Sequence, residues 1–275
     1  MSEKPGVRGI RAFHYYLMMK KFLKYISAFI FFTGILFITF TVSAQVLNIE
    51  RERIKTDTTG WSGSANISLN LFSNTKRFTE IGIDVHAQYK TSRSLYLALS
   101  DYEVIRSESS DFSNKGMQHL RYNYKITDIW ILEAFGQAQF NKVLNLNFRG
   151  LAGAGLRVKM IGEDKLRLYG GMAYMYEYEE PLESPIEHNH RLSNYLSVSS
   201  KPVKHFNVVN TIYFQPRIDF FADYRVSNNL DLIFKISSRL SYALALEFVM
   251  DNRPLPDMPR EVYSLKNKLI LDFGK

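Results

Sequence analysis

His119–Met160, HLRYNYKITDIWILEAFGQAQFNKVLNLNFRGLAGAGLRVKM, is the stretch whose reading decides the fold. At period two, Leu120, Tyr122, Tyr124 and Ile126 are apolar or aromatic, while His119, Arg121, Asn123 and Lys125 between them are polar. This is the pattern of a strand with one apolar face. After a turn at Thr127-Asp128 the pattern resumes. Trp130, Leu132, Ala134, Gly136, Ala138 and Phe140 lie on one face, with Glu133, Gln137, Gln139 and Asn141 on the other, which predicts a hairpin. A third pass sets Leu146, Phe148, Gly150, Ala152, Ala154, Leu156 and Val158 against Asn147, Arg149, Arg157 and Lys159. Segments of about ten residues or more cross a bilayer as tilted strands, so the apolar face is expected to meet lipid and the polar face to point inward.

The same alternation extends in both directions. Upstream it predicts strands from Trp61 to Leu71, from Ile81 to Tyr89, and from Leu95 to about Ile105 with Leu95, Leu97 and Leu99 as the apolar set. Polar loops are expected at 73–77 and 107–114. Downstream, Leu166 to Tyr178 reads as a strand with an aromatic outer end, and 179–190 as a long acidic loop. Arg191 to Ser199 and Phe206 to Phe214 are further strands, with Lys201-Pro202 ending the first. From Val208 to Ile236 the phase does not change, so the next hairpin fits either Gln215-Pro216-Arg217 or Ser227-Asn228-Asn229. Proline cannot donate to a ladder, which favours the first site and makes Ile218–Ile236 one long strand. Strands over Leu240–Phe248 and Tyr263–Phe273 complete an all-β, antiparallel transmembrane barrel of about twelve strands over 60–275. An even count puts both termini on the periplasmic side.

Met18–Ala44 has the form of a signal peptide: Lys20, Lys21 and Lys24, an apolar run from Ile26 to Val42, and the small-residue site Val42-Ser43-Ala44. Residues 1–44 are therefore read as a signal peptide with an upstream extension, and 45–59 as a polar periplasmic lead-in. A retained membrane helix is the alternative for the apolar run. Cleavage removes six basic residues and one acidic residue, so the formal charge of +8 falls to +3. That is too little to suggest a nucleic-acid partner. The chain has no cysteine, which excludes disulfides, thiolate metal sites and a lipoprotein anchor. The expected partners are outer-membrane lipid and, during insertion, the barrel-assembly machinery.

Trp61-x-Gly63, Arg121-Tyr122, Gly150-x-x-Gly153-x-Gly155, Gln215-Pro216, Asp223-Tyr224-Arg225 and Asp251-Asn252-x-Pro254 occur in an order and spacing that resemble the salt-induced outer-membrane proteins sharing domain of unknown function 481. The resemblance covers nearly the whole mature chain. It implies an outer-membrane barrel and no particular activity. The chain departs from that pattern at Asp251-Asn252 and in ending on Phe273-Gly274-Lys275.

Three local patterns invite chemistry. The glycine-rich 150–155 segment has no helix after it, so it is read as small residues in a curved wall and not as a phosphate loop. His188-x-His190 with Glu183 and Glu187 is read as a solvated loop, since a flexible segment does not fix a coordination geometry. An esterase needs a serine beside an oriented histidine, and His86 and His119 both face inward by parity. No catalytic, cofactor or metal residues are assigned, and the chain is not expected to be an enzyme. The inward charges are the candidate site: Asp84, Arg121, Glu133, Arg149, Arg157, Lys159, Arg167, Glu177, Asp219, Asp223, Arg225, Lys235, Glu247, Lys266, Lys268 and Asp272. They form either a paired network filling the lumen of a structural barrel or a charged path for small polar solutes. If the path is open, the bases on its later strands predict mild anion selectivity. A lipid-modifying enzyme and an adhesion or stability protein acting through its outer loops are the alternatives. Mass spectrometry of the mature protein is expected to give Gln45 as first residue, in an outer-membrane fraction that migrates anomalously when unheated. A soluble product, or one retaining the apolar run, would contradict this.

Overall fold

Twelve antiparallel strands close on themselves. They are β1 (Gly60–Ser73), β2 (Arg77–Lys90), β3 (Ser94–Ser107), β4 (Phe112–Lys125), β5 (Trp130–Asn141), β6 (Leu146–Gly162), β7 (Leu166–Pro181), β8 (Glu187–Val203), β9 (Phe206–Pro216), β10 (Tyr224–Lys235), β11 (Leu240–Asp251) and β12 (Glu261–Gly274). The computed structural model describes residues 59–73, 77–107, 112–256 and 258–274. The signal peptide and most of the lead-in expected from the sequence lie outside the described residues. Each strand pairs with its sequence neighbours, and β1 pairs with β12 from Ser62↔Gly274 to Ser68↔Lys268. That seam removes both sheet edges.

The pleat then assigns every side chain. Along β1, Ile67 and Leu69 are exposed while Ser64, Asn66 and Ser68 are buried. Along β12, Leu265, Leu269 and Leu271 are exposed while Lys266 and Lys268 are buried. Apolar outside and polar inside is the inverse of a soluble fold, and it suits a wall with hydrocarbon around it.

Two aromatic belts mark the limits of that hydrocarbon. At the end carrying the termini, Trp61, Tyr89, Tyr96 and Tyr122 form a ladder across β1 to β4, with centroids 5.0, 6.4 and 4.9 Å apart. Phe206, Phe234 and Tyr242 continue it on β9 to β11. At the other end, Tyr102 meets Phe140, Phe148 meets Tyr178, Phe214 meets Tyr224, and Phe248 meets Tyr263. Ten residues separate Tyr224 from Phe234 and Tyr263 from Phe273. At ~3.3 Å per residue and a tilt of ~40°, that spans ~25 Å, the height of a lipid-facing band.

Inward glycines make room for rings. A Cβ on Gly153 would lie 2.4 Å from the Phe135 ring, one on Gly171 2.2 Å from the Tyr195 ring, and one on Gly155 2.1 Å from the Met172 carbonyl. The aromatic rings thus lie against bare backbone on the neighbouring strand.

The structure departs from the sequence expectations in six places. On β3 the parity is reversed. Leu97 and Leu99 point into the barrel, and Tyr96, Tyr102 and Val104 face out. Leu146 also turns inward, because the β6–β7 register shifts between Leu146 and Phe148. The loop expected over 179–190 is only 182–186, with Tyr178 paired to His188 and Tyr176 to His190. These residues extend the wall above the outer belt, where the outward face meets water and headgroups, so hydrophobic alternation stops while the strand continues. β4 likewise begins at Phe112, within the predicted 107–114 loop. The hairpin after β9 does fall at Pro216, but residues 217–223 form a turn closed by Arg217 N–H to Asp223 O at 2.8 Å, so the strand starts at Tyr224 and not Ile218. Pro202 lies within β8, where a register shift between Ser200 and Val203 absorbs its missing donor.

Arginine at Leu132, Ala152 or Leu244 is expected to impair insertion at a cost of about 2–4 kcal/mol near the midplane, while leucine at Gln137 is expected to be tolerated. Folded yield from urea into lipid vesicles measures both. Equal tolerance of the two kinds of change would contradict the facing.

Candidate functional site: the barrel lumen

Facing strands carry long charged side chains into the lumen, and these meet in three groups. In the first, Glu133 of β5 is the hub. Its Oε2 accepts from Arg121 Nη1 at 3.2 Å and from the Tyr195 hydroxyl at 2.7 Å. Arg157 Nη1 donates to that hydroxyl at 3.2 Å and lies 3.9 Å from Glu133 Oε1. The Arg157 guanidinium stacks 3.8 Å over the Tyr169 ring, and Arg121 lies 4.7 Å over Phe135. Arg121 Nε donates to His119 Nε2 at 3.3 Å, so the proton of that ring sits on Nδ1, 2.8 Å from Gln137 Oε1. Both nitrogens of His119 are thereby engaged by groups other than serine.

The second group joins β2, β3 and β4 to β11 and β12. Lys115 lies 2.6 Å from Glu103 and 3.7 Å from Glu80. Lys266 donates to Glu103 at 2.6 Å and approaches Glu247 at 3.3 Å, while Lys268 donates to Asp84 at 3.1 Å. Asp84, Asp101 and Glu103 bring their carboxylates within 4.8 Å of one another. The three ammonium groups supply the opposing charge at that point, so lysines do there what a bound cation would.

The third group lies toward the outer mouth. Glu177, 1% exposed, is approached by Arg149 at 3.3 Å, by Arg191 at 2.7 Å and by Arg225. Glu179 accepts from Arg149 at 2.7 Å and from Arg225 at 3.0 Å. Arg225 reaches Asp251 at 2.6 Å, and Arg191 reaches Asp223 at 2.9 Å. In the outer turn the Arg217 guanidinium hydrogen-bonds Asp219 and holds its carboxyl below the ordinary carboxylate range.

Beside this third group a cavity of about 150 Å³ opens within the outer half of the lumen. Arg149, Arg225 and Asp251 bound it on one side. Gln137, Gln139, Asn141, Gln215, Ser193 and Ser227 line its wall, and Pro254, Leu255, Met258 and Pro259 of the loop after β11 lie across it.

Over residues 55–273 the sequence matches the family described as protein of unknown function, DUF481. The chain belongs to that family. No curated protein matches the sequence. Among solved structures, the NanC porin is similar with a TM-score of 0.51 and 10% identity, covering 78% of this chain and 100% of that one. The COG4313 outer membrane channel from Pseudomonas putida F1 is similar with a TM-score of 0.50 and 10% identity, covering 83% of this chain and 100% of the channel. At such identity the likeness is one of fold, and it makes this DUF481 chain a barrel of the outer-membrane type.

Of the inward charges inferred from the sequence, Asp84, Arg121, Glu133, Arg157, Glu177, Asp223, Lys266 and Lys268 are buried in the DUF481 barrel. Arg149, Lys159, Arg167, Arg225, Glu247 and Asp272 are half-buried. Asp219 and Lys235 are exposed, the first in the turn after β9 and the second at the rim that carries the termini. Sequence reasoning missed Glu80, Asp101, Glu103, Lys115, Glu179, Arg191 and Asp231, all buried. Asp101 and Glu103 share the parity of Leu97 and Leu99, which simple alternation assigns to the lipid side; the aromatic Tyr96 and Tyr102 on the opposite parity are the signal for the observed facing. Lys115, Glu179 and Arg191 sat in or beside stretches read as loops. Among the described residues the buried charges are nine acids (Glu80, Asp84, Asp101, Glu103, Glu133, Glu177, Glu179, Asp223, Asp231) and six bases (Lys115, Arg121, Arg157, Arg191, Lys266, Lys268). The basic excess behind the expected anion selectivity is therefore not a property of the buried lumen.

Glu133→Gln leaves Arg121 and Arg157 without their counter-charge and is expected to destabilise the barrel by about 3–5 kcal/mol. Replacing Arg121, Glu133 and Arg157 together by leucine is expected to cost far less. The temperature at which unheated gel mobility is lost reads both; equal losses would contradict the hub.

Proposed function

We propose that the chain is a narrow solute path of the outer membrane, exported with a cleaved leader and entered from its outer face. One observation carries this reading: the cavity of about 150 Å³ beside Arg149, Arg225 and Asp251, set in the outer half of the lumen. Below it, the linked side chains of Glu133, Arg121, Arg157 and Tyr195 project from β4, β5, β6 and β8 and narrow the bore. A twelve-stranded ring with such groups across it passes far less than the open lumen of a sixteen-stranded porin. With acids and bases both on the wall, selectivity between small ions is expected to be weak.

A second reading, a sealed barrel that stiffens the envelope, is favoured by the extent of pairing. Lys266, Arg191, Glu103 and Glu177 are each almost completely buried in ion pairs. The two readings part on conductance. Reconstituted into planar bilayers, the chain is expected to give small, weakly selective steps, and replacing Arg157 and Tyr195 together by serine is expected to enlarge them. If parent and double variant both pass no current, the barrel is sealed and the solute path fails.

A further inference from the structure

The buried and half-buried charges on the wall of the outer cavity satisfy one another, and the one remaining charged lining residue, Arg260, is exposed. Glu177 and Glu179 hold Arg149 and Arg225 between them, and Asp251 takes the remaining edge of Arg225. An anion or a cation entering there has to break a pair whose members are largely removed from water, which is costly. Among the buried and half-buried lining residues, the hydrogen-bonding capacity left over is neutral. Ser227 of β10, 3% exposed and lining the cavity, has a hydroxyl with no hydrogen-bond partner among the described residues. A buried hydroxyl left unmatched is unfavourable, so a ligand that supplies its partner is favoured. On the facing wall, His119 bonds Gln137, and Gln137 donates to Gln139 Oε1 at 2.5 Å, which leaves the Gln139 amide NH₂ as the open end of that chain. The loop after β11 adds Leu255 and Met258 to the lining, and Phe135, Leu151, Met175 and Val249 add apolar surface between the amides and hydroxyls of the wall.

We infer that this cavity is a binding site for a small uncharged polyol, a free sugar of single-ring size. Such a ring presents hydroxyls around its edge and C–H groups on its face, which suits a lining that sets amides and hydroxyls beside apolar side chains. At about 30 Å³ per water the volume corresponds to roughly five waters, the order of size of one small sugar ring. The inference rests on the proposed reading of the outer cavity as a solute entry.

The test uses the full mature barrel refolded in detergent, with glucose, glucuronate and glucosamine as probes of one ring shape and three charges. Binding is followed by saturation-transfer NMR and equilibrium dialysis. Glucose is expected to bind, and both charged analogues to bind several-fold more weakly. Ser227→Ala is expected to weaken glucose about five- to tenfold while leaving the heat-modifiable migration unchanged, because the lost hydroxyl has no partner. Leu255→Ser, in the lining, is expected to weaken it as well. Absence of glucose binding, tighter binding of either charged analogue, or indifference to both substitutions would overturn the inference. Current is recorded separately. Glucose binding without conductance would overturn the solute path and leave the binding site standing. Conductance without glucose binding would do the reverse.

Discussion

Backbone closure in a medium without water is the constraint on which the rest of the structure depends. In hydrocarbon an unpaired N–H or C=O costs several kcal/mol, so a sheet can cross a membrane only as a ring. The β1–β12 seam meets that need with seven residue pairs, from Ser62↔Gly274 to Ser68↔Lys268. Once the ring is closed, each strand has one face on lipid and one in the lumen, and a side chain's chemistry follows from its parity. Polar residues turned inward have nowhere to go but toward each other. The lumen therefore becomes a set of linked ion pairs, with glycines at 153 and 171 leaving space for Phe135 and Tyr195 beside the backbone.

Most of the architecture was legible in the sequence because lipid is an unambiguous selector. Leu, Ile and Trp at alternate positions of β1, β5 and β12 have no other reason for their spacing, and the loop prolines fix the strand count. Legibility failed where lipid stops selecting. Above the outer belt, β7 and β8 continue as strands through Glu179 and His188, yet their outward residues face headgroups and water and lose the alternation. On β3 the lumen itself is partly apolar. Leu97 and Leu99 pack inside, and outward tyrosines replace the expected aliphatic face. A reading that equates apolar with outward inverts that strand and hides Asp101 and Glu103.

The candidate site was legible as a composition and not as an arrangement. Sequence parity gathered Arg121, Glu133, Arg157 and Arg225 on one face. It could not show that Tyr195, on a strand three away from β5, would bond Glu133, or that Glu177 would be shared by three arginines. Those contacts depend on tilt and bore, which no single strand encodes. The balance of charge also changed once the buried acids were located, and with it the expected discrimination between ions. The outer cavity above the Glu133 hub is the arrangement on which the proposed solute path of this DUF481 barrel rests.

The absence of native cysteine makes thiol labelling the most direct test of this account. Single cysteines at Ser227, Leu232 and Ile233 of β10 sample the outer cavity, the lipid face and the packed lower lumen in turn. A membrane-impermeant maleimide added to intact cells is expected to label Ser227→Cys and to leave Leu232→Cys and Ile233→Cys unmodified. Labelling of Leu232→Cys as fast as Ser227→Cys, or an unreactive Ser227→Cys, would contradict it.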